Sequence, residues 1–178
     1  MESELYSYED ALRIARENGD DTTEMEAVAE IYAADMTSEN VILLRNHVSK
    51  YHVVENENNT LWEGIVSPHV GINDLKWAWK QAGDPEGYFR TNQQLYDFIM
   101  TTDVRDYGLE YQVPAGFISG EDDWITPVKI SEEYYQLISA PEKEFQLVDG
   151  CGHSPHYDDP EGFCEALEGM LEEFEQLE

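Results

Sequence analysis

The spacing of apolar residues divides the chain into a helical first part and a mixed second part. Up to residue 110, except over 51–70 where the periodicity fails, apolar side chains recur at intervals of three and four residues, as on one face of a helix. Ser7 with Asp10 is predicted to form a capping box, and Thr91 is predicted to cap a later helix. Further helices are predicted to begin at Thr23, at Glu39 and at Asn73. Residues 52–60 are polar and rich in asparagine, which predicts a loop.

From residue 111 onward, short apolar runs alternate with helical periodicity. Strands are predicted over 113–119, a short apolar run that ends at Gly120, and over 144–148, which ends before Gly150. A helix over 128–139 separates them, and Pro160 opens a last helix with apolar residues on one face. The order strand, helix, strand, helix predicts an α/β fold class. We therefore expect a helical segment over 1–110 and an α/β segment over 111–178.

The loops that follow the two predicted strands carry the residues best suited to catalysis. The first loop, 120–127, contains Asp123, and the second, 149–155, contains His153. A right-handed crossover places the carboxyl ends of both strands at the same sheet edge, so we expect the two side chains to meet. An aspartate in that position can fix the tautomer of a histidine and stabilise its protonated form.

Several motifs in this region match one pattern. They are Pro114 before the strand, Gly120-x-x-Asp123 followed by Thr126-Pro127, Gly152-His153-Ser154-Pro155, and a helix after Pro160. Over residues 112–174 the chain resembles the C-terminal part of α/β-hydrolases, most closely the proline iminopeptidase-like group. The resemblance implies that Asp123 is the acid of a catalytic triad, with Asp122 as the fallback, and that His153 is the general base. It also implies that 1–110 corresponds to a helical cap.

The nucleophile of that family lies in a Gly-x-Ser-x-Gly turn that precedes the acid and the histidine. None of the nine serines has glycine both two residues before it and two residues after it. Ser154 has Gly152 at the first of these positions but His156 at the second. The family's first six strands, with the oxyanion hole, also have no counterpart in the sequence. We therefore expect a partial hydrolase that is inactive alone. Its expected partner is the N-terminal half of a hydrolase, and a peptide or small molecule is the substrate once the enzyme is complete.

A second hypothesis is a non-catalytic remnant that binds a partner or forms a homodimer. Its basis is that two parallel strands alone leave an open edge, which favours pairing with another copy. Discriminating between the two hypotheses requires an activity measurement on a completed enzyme and a measurement of oligomeric state.

Other residue clusters offer alternative candidate sites. His153, His156 and Asp158 could form a metal site, but no further ligand accompanies them, so no metal or cofactor is expected. Cys164 is predicted to be a core thiol, and Cys151 is too close to His153 in sequence for easy use as a nucleophile. The tryptophans of the first part could line a pocket or belong to the core: Trp62, Trp77 and Trp79.

The charge is extreme, with 10 basic and 39 acidic residues and a net charge of −29. Such a surface repels phosphates, so neither nucleic acid nor an anionic membrane is expected as a partner. No apolar run reaches the roughly 20 residues of a membrane span, and the first residues lack the features of a signal peptide. Two cysteines make no disulfide framework, so a cytoplasmic location is expected. The acidity fits either adaptation to high salt or an ordinary acidic protein.

Overall fold

The structure is a computed structural model that describes residues 2–57 and 65–175. The chain is mostly helical with a two-stranded parallel sheet, so the predicted α/β class is confirmed. Two compact units are present, one made of Met1–Glu57 with Val104–Glu178 and one of Asn58–Asp103. The predicted boundary between 1–110 and 111–178 follows the change in element type and stays a prediction.

Three helices and a short 3-10 turn begin the first unit: α1 (Glu2–Asn18), α2 (Thr23–Ala34), α3 (Ser38–Val48) and the turn Ser49–Tyr51. The helices pack through small and apolar side chains that water does not reach. These buried residues are Ala11, Ala15, Val28, Tyr32, Leu44 and Val48. The alanines of α1 allow close approach of the neighbouring helices, which places α1 firmly on α3.

The predicted capping box at Ser7 is wrong. Helix α1 begins at Glu2, and Ser7 lies inside it as a buried residue. Its hydroxyl lies 3.0 Å from the carbonyl oxygen of Ser3, the local contact that serine forms within helices, and also within hydrogen-bond distance of Trp124 O, so its one proton is shared between two acceptors. Ser7 therefore contacts a residue outside its own helix. In α3 the cap is Thr37, whose side chain accepts a hydrogen bond from the N–H of Asn40.

The α/β part of the first unit has the predicted order of elements. It contains a 3-10 turn (Val104–Tyr107), β1 (Ala115–Gly120), α6 (Val128–Leu137), β2 (Lys143–Val148), α7 (Pro155–Asp158) and α8 (Pro160–Glu175). The strands are parallel, and their register runs from Ala115 opposite Lys143 to Gly120 opposite Val148. Both strands therefore end together. Within the described ranges, each strand is paired along one edge.

Helices cover both faces of this small sheet. Phe117 and Phe145 stack at 6.0 Å on one face, where Tyr135 of α6 meets both rings edge-on. On the other face, Met170 of α8 lies directly against Gly116, because neighbouring strand residues point to opposite sides.

The predicted core face of α8 is only partly buried. Met170 is buried, whereas Leu167 and Leu171 are exposed, Leu171 by 51%. The pattern therefore gave the helix correctly but overstated how much of its apolar face the described part of the chain covers.

The second unit contains α4 (Ile72–Gly83) and α5 (Pro85–Thr101). Asp84 caps α5 by accepting a hydrogen bond from Gly87 N, so the predicted cap at Thr91 is wrong. Trp77 and Trp79 are 60% and 84% exposed, so the prediction that they belong to a core is also wrong, and Trp62 lies outside the described residues. None of the helices in 2–57 and 65–175 has the length and apolar character needed to cross a membrane.

Candidate active site

The loops after β1 and β2, here called the acid loop (120–127) and the histidine loop (149–155), meet backbone to backbone. Glu121 N donates to Val148 O at 3.0 Å, and Asp122 N donates to Cys151 O at 2.8 Å. A Cβ atom at Gly120 would overlap the carbonyl groups of Cys151 and Gly152. Glycine at position 120 is thus required for this close approach.

Asp123 is held rigidly within the acid loop. Its Oδ1 accepts hydrogen bonds from the backbone N–H groups of Ile125 and Thr126, both at 2.9 Å. Its Oδ2 accepts the hydroxyl of Thr126 at 2.6 Å. The side chain is 6% exposed, so almost all of its polar contacts are with the protein. The carboxylate therefore has one orientation, which Thr126 largely determines.

His153 contacts this carboxylate directly, as the sequence predicts for the two loops. The distance from His153 Nδ1 to Asp123 Oδ2 is 3.0 Å. An ionised carboxylate can only accept a hydrogen bond, so Nδ1 carries the proton and Nε2 keeps its lone pair. The imidazole is 48% exposed, whereas its carboxylate partner is buried. This geometry suits a histidine that accepts a proton at Nε2.

The two groups shift each other's acidity. Burial raises the pKa of Asp123, but hydrogen bonds from His153 and Thr126 outweigh burial and hold it below its usual value. The hydrogen bond to Asp123 raises the pKa of His153, while burial and the positive charge of Arg45 oppose that rise. The pair therefore favours a carboxylate beside an imidazole that is readily protonated.

The other sequence candidates take no part in this contact. Asp122, the fallback for the acid, is joined to the histidine loop by its backbone N–H. Cys151 is fully buried, and burial with the nearby charge of Asp158 raises its thiol pKa, which disfavours the reactive thiolate. Cys164 is exposed on α8, so its prediction as a core thiol is wrong.

The residues proposed as a metal cluster do not form one. Among the residues that the structure describes, no group of three or more His, Cys, Asp or Glu side chains is arranged to hold a metal ion. Asp158 instead accepts a hydrogen bond from Gly152 N at 2.9 Å, and His156 packs on Tyr157 and Phe163. These contacts give both side chains a structural role next to the histidine loop.

Sequence reasoning missed the neighbours of the acid loop. A cavity of about 310 Å³ lies beside this loop, and six of its lining residues are Tyr6, Ser7, Asp10, His52, Asp123 and Trp124. Arg45 of α3, whose charge acts on His153, forms a hydrogen-bonded ion pair with Glu4 of α1. No motif signals a role at this loop for Tyr6, Ser7, His52 or Arg45, because they come from the helical part and reach the acid loop only through folding.

A comparison with curated proteins found one similar segment in a peptidase. The chain is 34% identical over 104 residues to the probable aminopeptidase YbaC of Bacillus subtilis (strain 168). The match covers 58% of this chain and 29% of that protein, so the chain spans less than a third of the curated relative. No family model matches the sequence. No solved structure matches it significantly.

Proposed function

We propose that this chain supplies the acid and the general base of a proline iminopeptidase-like α/β-hydrolase, with Asp123 as the acid and His153 as the base. One observation carries the proposal: the 3.0 Å contact between His153 Nδ1 and Asp123 Oδ2 at the shared ends of two parallel strands. The nucleophile and the oxyanion donors are assigned to residues outside these 178, either in the same polypeptide or in a second chain.

The proposed mechanism gives each group one task. Asp123 accepts a hydrogen bond from the Nδ1–H group of His153 and so holds the tautomer in which Nε2 is free to act as a base. Nε2 takes the proton of a serine hydroxyl as the serine oxygen attacks the carbonyl carbon, and the imidazolium then donates that proton to the leaving amine. The buried carboxylate stabilises the imidazolium during this step, consistent with the raised pKa of His153.

The peptidase class rests on the Bacillus relative. That protein is named a probable aminopeptidase, and the shared segment is 34% identical. The activity, the substrate and the partner of this chain remain proposals, because the match covers 29% of the relative. A peptide with a free N-terminal residue is the substrate class that follows from the name of the relative.

The test is a fusion that completes the enzyme. The part of the Bacillus relative that precedes the matched segment is joined ahead of this chain, and hydrolysis is measured with prolyl-p-nitroanilide and p-nitrophenyl acetate. We expect the chain alone to be inactive and the fusion to be active. His153→Ala in the fusion should lower kcat by about 10⁴-fold or more, as loss of a triad histidine does.

His156→Ala is the matched control, since His156 is exposed, lies three residues away and packs on aromatic rings. It should leave kcat within about threefold of the parent fusion, a change of under 1 kcal/mol. The proposal would be overturned if the folded fusion with His153→Ala hydrolyses both substrates as well as the parent fusion does. It would also be overturned by a folded fusion that keeps the Asp123–His153 contact and hydrolyses neither substrate.

A second candidate function is a non-catalytic homodimer. In the described part of the chain, β1 and β2 each pair along one edge, and several large apolar side chains are exposed nearby. These are Val113, Leu137, Leu147 and Leu171. Open strand edges and exposed apolar side chains are typical of surfaces that associate. Sedimentation velocity at several protein concentrations tests this, and a monomer at every concentration in 0.5 M NaCl excludes it.

A further inference from the structure

A serine and a histidine from the helical part enclose the backbone of the acid loop. The Ser7 hydroxyl shares its one proton between Ser3 O of its own helix and Trp124 O, the carbonyl oxygen of the residue that follows Asp123. The imidazole of His52 stacks on the Trp124 ring, with centroids 5.7 Å apart and planes 7° from parallel. His52 Nε2 lies 3.1 Å from Ser7 O, so the three residues contact one another in a closed triangle.

The hydrogen-bonding chemistry fixes the orientation of His52. The carbonyl oxygen of Ser7 can only accept, so Nε2 of His52 carries a proton. Nδ1 then faces the Asp10 carboxylate, 4.0 Å away, which in turn is paired with Arg13. Ser7 is buried and the His52 side chain is 13% exposed, so water competes little for these contacts. The triangle is therefore a built contact and not a loose surface encounter.

The segment that begins at His52 also reaches the histidine loop. Asn56 N donates to Gly150 O at 2.9 Å, and its amide Nδ2 donates to Asp149 O at 3.3 Å. Val54, which lies between His52 and Asn56 in the sequence, packs against Gly152, where a Cβ atom would collide with the valine methyl groups. One short stretch of chain thus touches the loop that carries Asp123 and the loop that carries His153.

We propose that Ser7, His52 and Asn56 form a brace that positions the acid loop against the histidine loop. They are positioning residues for the reaction, and this role rests on the proposed function of Asp123 and His153. The need for a brace follows from the geometry. Asp123 Oδ2 lies 3.0 Å from His153 Nδ1 and Thr126 Oγ1 lies 3.2 Å from the same nitrogen, and a displacement of the acid loop by about 1 Å is enough to lose such contacts or about 10²-fold in rate.

The brace acts on a site whose charges are known. The charged groups that act on His153 are Asp123, which favours its protonation, and Arg45, which opposes it. Neither belongs to the brace. Ser7→Ala and Asn56→Ala change no charge, so a change in the titration of His153 in these variants reports the position of the acid loop. The charged residues that line the cavity beside His52 are Asp10, which is paired with Arg13, and Glu121, Asp122, Asp123 and Lys129.

The test follows the His153 imidazole by NMR titration in the full 178-residue chain, with its signal assigned by its loss in His153→Ala. Ser7→Ala, His52→Ala and Asn56→Ala should each move the pKa of His153 down toward the ordinary value of histidine. His52→Phe keeps a flat ring against Trp124 and should recover part of the change seen in His52→Ala. The matched controls are Ser38→Ala, a buried serine at the start of α3, and Asn40→Ala, whose amide bonds to Asp35 O.

Each outcome decides the matter. If the pKa of His153 in all three brace variants equals that in the two controls, the brace proposal is overturned. Should His52→Ala fail to fold, as judged by circular dichroism, Asn56→Ala still decides, because Asn56 is exposed and its loss leaves the core intact. Asp123→Asn separates the two proposals: if it leaves the pKa of His153 unchanged, the acid–base pair itself fails, whatever the brace variants show.

A completed enzyme gives a second readout. In the active fusion described above, Ser7→Ala and His52→Ala should lower kcat about tenfold or more and change KM less, because a displaced acid loop weakens the orientation of His153 by Asp123, which acts in the chemical step. If the variants lose folding stability and the decrease in kcat follows that loss, while the pH profile of kcat stays unchanged, these residues have only a structural role.

Discussion

The close approach of the acid loop and the histidine loop can be tested by adding one methyl group. Gly120→Ala places a Cβ atom on the carbonyl groups of Cys151 and Gly152, which belong to the histidine loop backbone. Backbone cannot rotate away as a flexible side chain can, so the loops must separate. Overpacking of this kind costs about 1–3 kcal/mol, and we expect the upper end because no side chain can yield.

Gly169→Ala provides the matched control. Gly169 lies inside α8, and a Cβ atom there would meet nothing within 4 Å. The same substitution should stabilise this helix by about 0.5–1 kcal/mol, since alanine is the better helix former. Urea unfolding followed by circular dichroism in 0.5 M NaCl measures both. The reasoning is refuted if Gly120→Ala is as stable as Gly169→Ala, or if the His153 signal still titrates as in the parent chain.

Three further predictions concern charge. Arg45→Met leaves the buried Glu4 carboxylate without its ion-pair partner and should cost about 3 kcal/mol in urea unfolding, whereas Glu4→Gln added to Arg45→Met should restore most of it. Because the pKa of His153 is raised, its stabilising pairing with Asp123 is fully present below about pH 6.5 and is lost as the pH rises through the raised pKa. The measurement is the difference in the free energy of unfolding between the parent chain and Asp123→Asn as a function of pH. A difference that stays constant with pH would contradict this prediction. The unfolding free energy should rise between about 0.1 and 1 M NaCl as the Debye length falls from about 10 to 3 Å, and a flat salt titration would show that self-repulsion at −29 contributes little.

The sequence predicts the α/β part well because its signals are local. The strand that ends at Gly120 is a short apolar run, and the strand that ends at Val148 is followed by Gly150; such local signals need no distant partner to be recognised. Parallel pairing through a right-handed crossover then brings Asp123 and His153 to one edge as a consequence of topology. Their contact is thus predictable from sequence, while their catalytic role remains a prediction.

Contacts between distant residues could not be predicted. Ser7 and Trp124 are 117 positions apart, and serine inside a helix looks the same whether it caps, bonds its own turn or meets a loop. The polar stretch that begins at His52 looks like an ordinary loop in sequence, although it contacts both the acid loop and the histidine loop. Exposure was equally hidden, since Trp79 and Leu171 fit apolar patterns that periodicity cannot distinguish from a buried face.

The protonation of His153 tests the central claim most directly. Long-range ¹H–¹⁵N NMR of the neutral imidazole distinguishes which ring nitrogen carries the proton. We expect the proton on Nδ1, where it forms a hydrogen bond to the Asp123 carboxylate, and a downward shift of the His153 pKa in Asp123→Asn. A proton on Nε2 in the parent chain, or a titration that Asp123→Asn leaves unchanged, would contradict the assignment of His153 as a base oriented by Asp123.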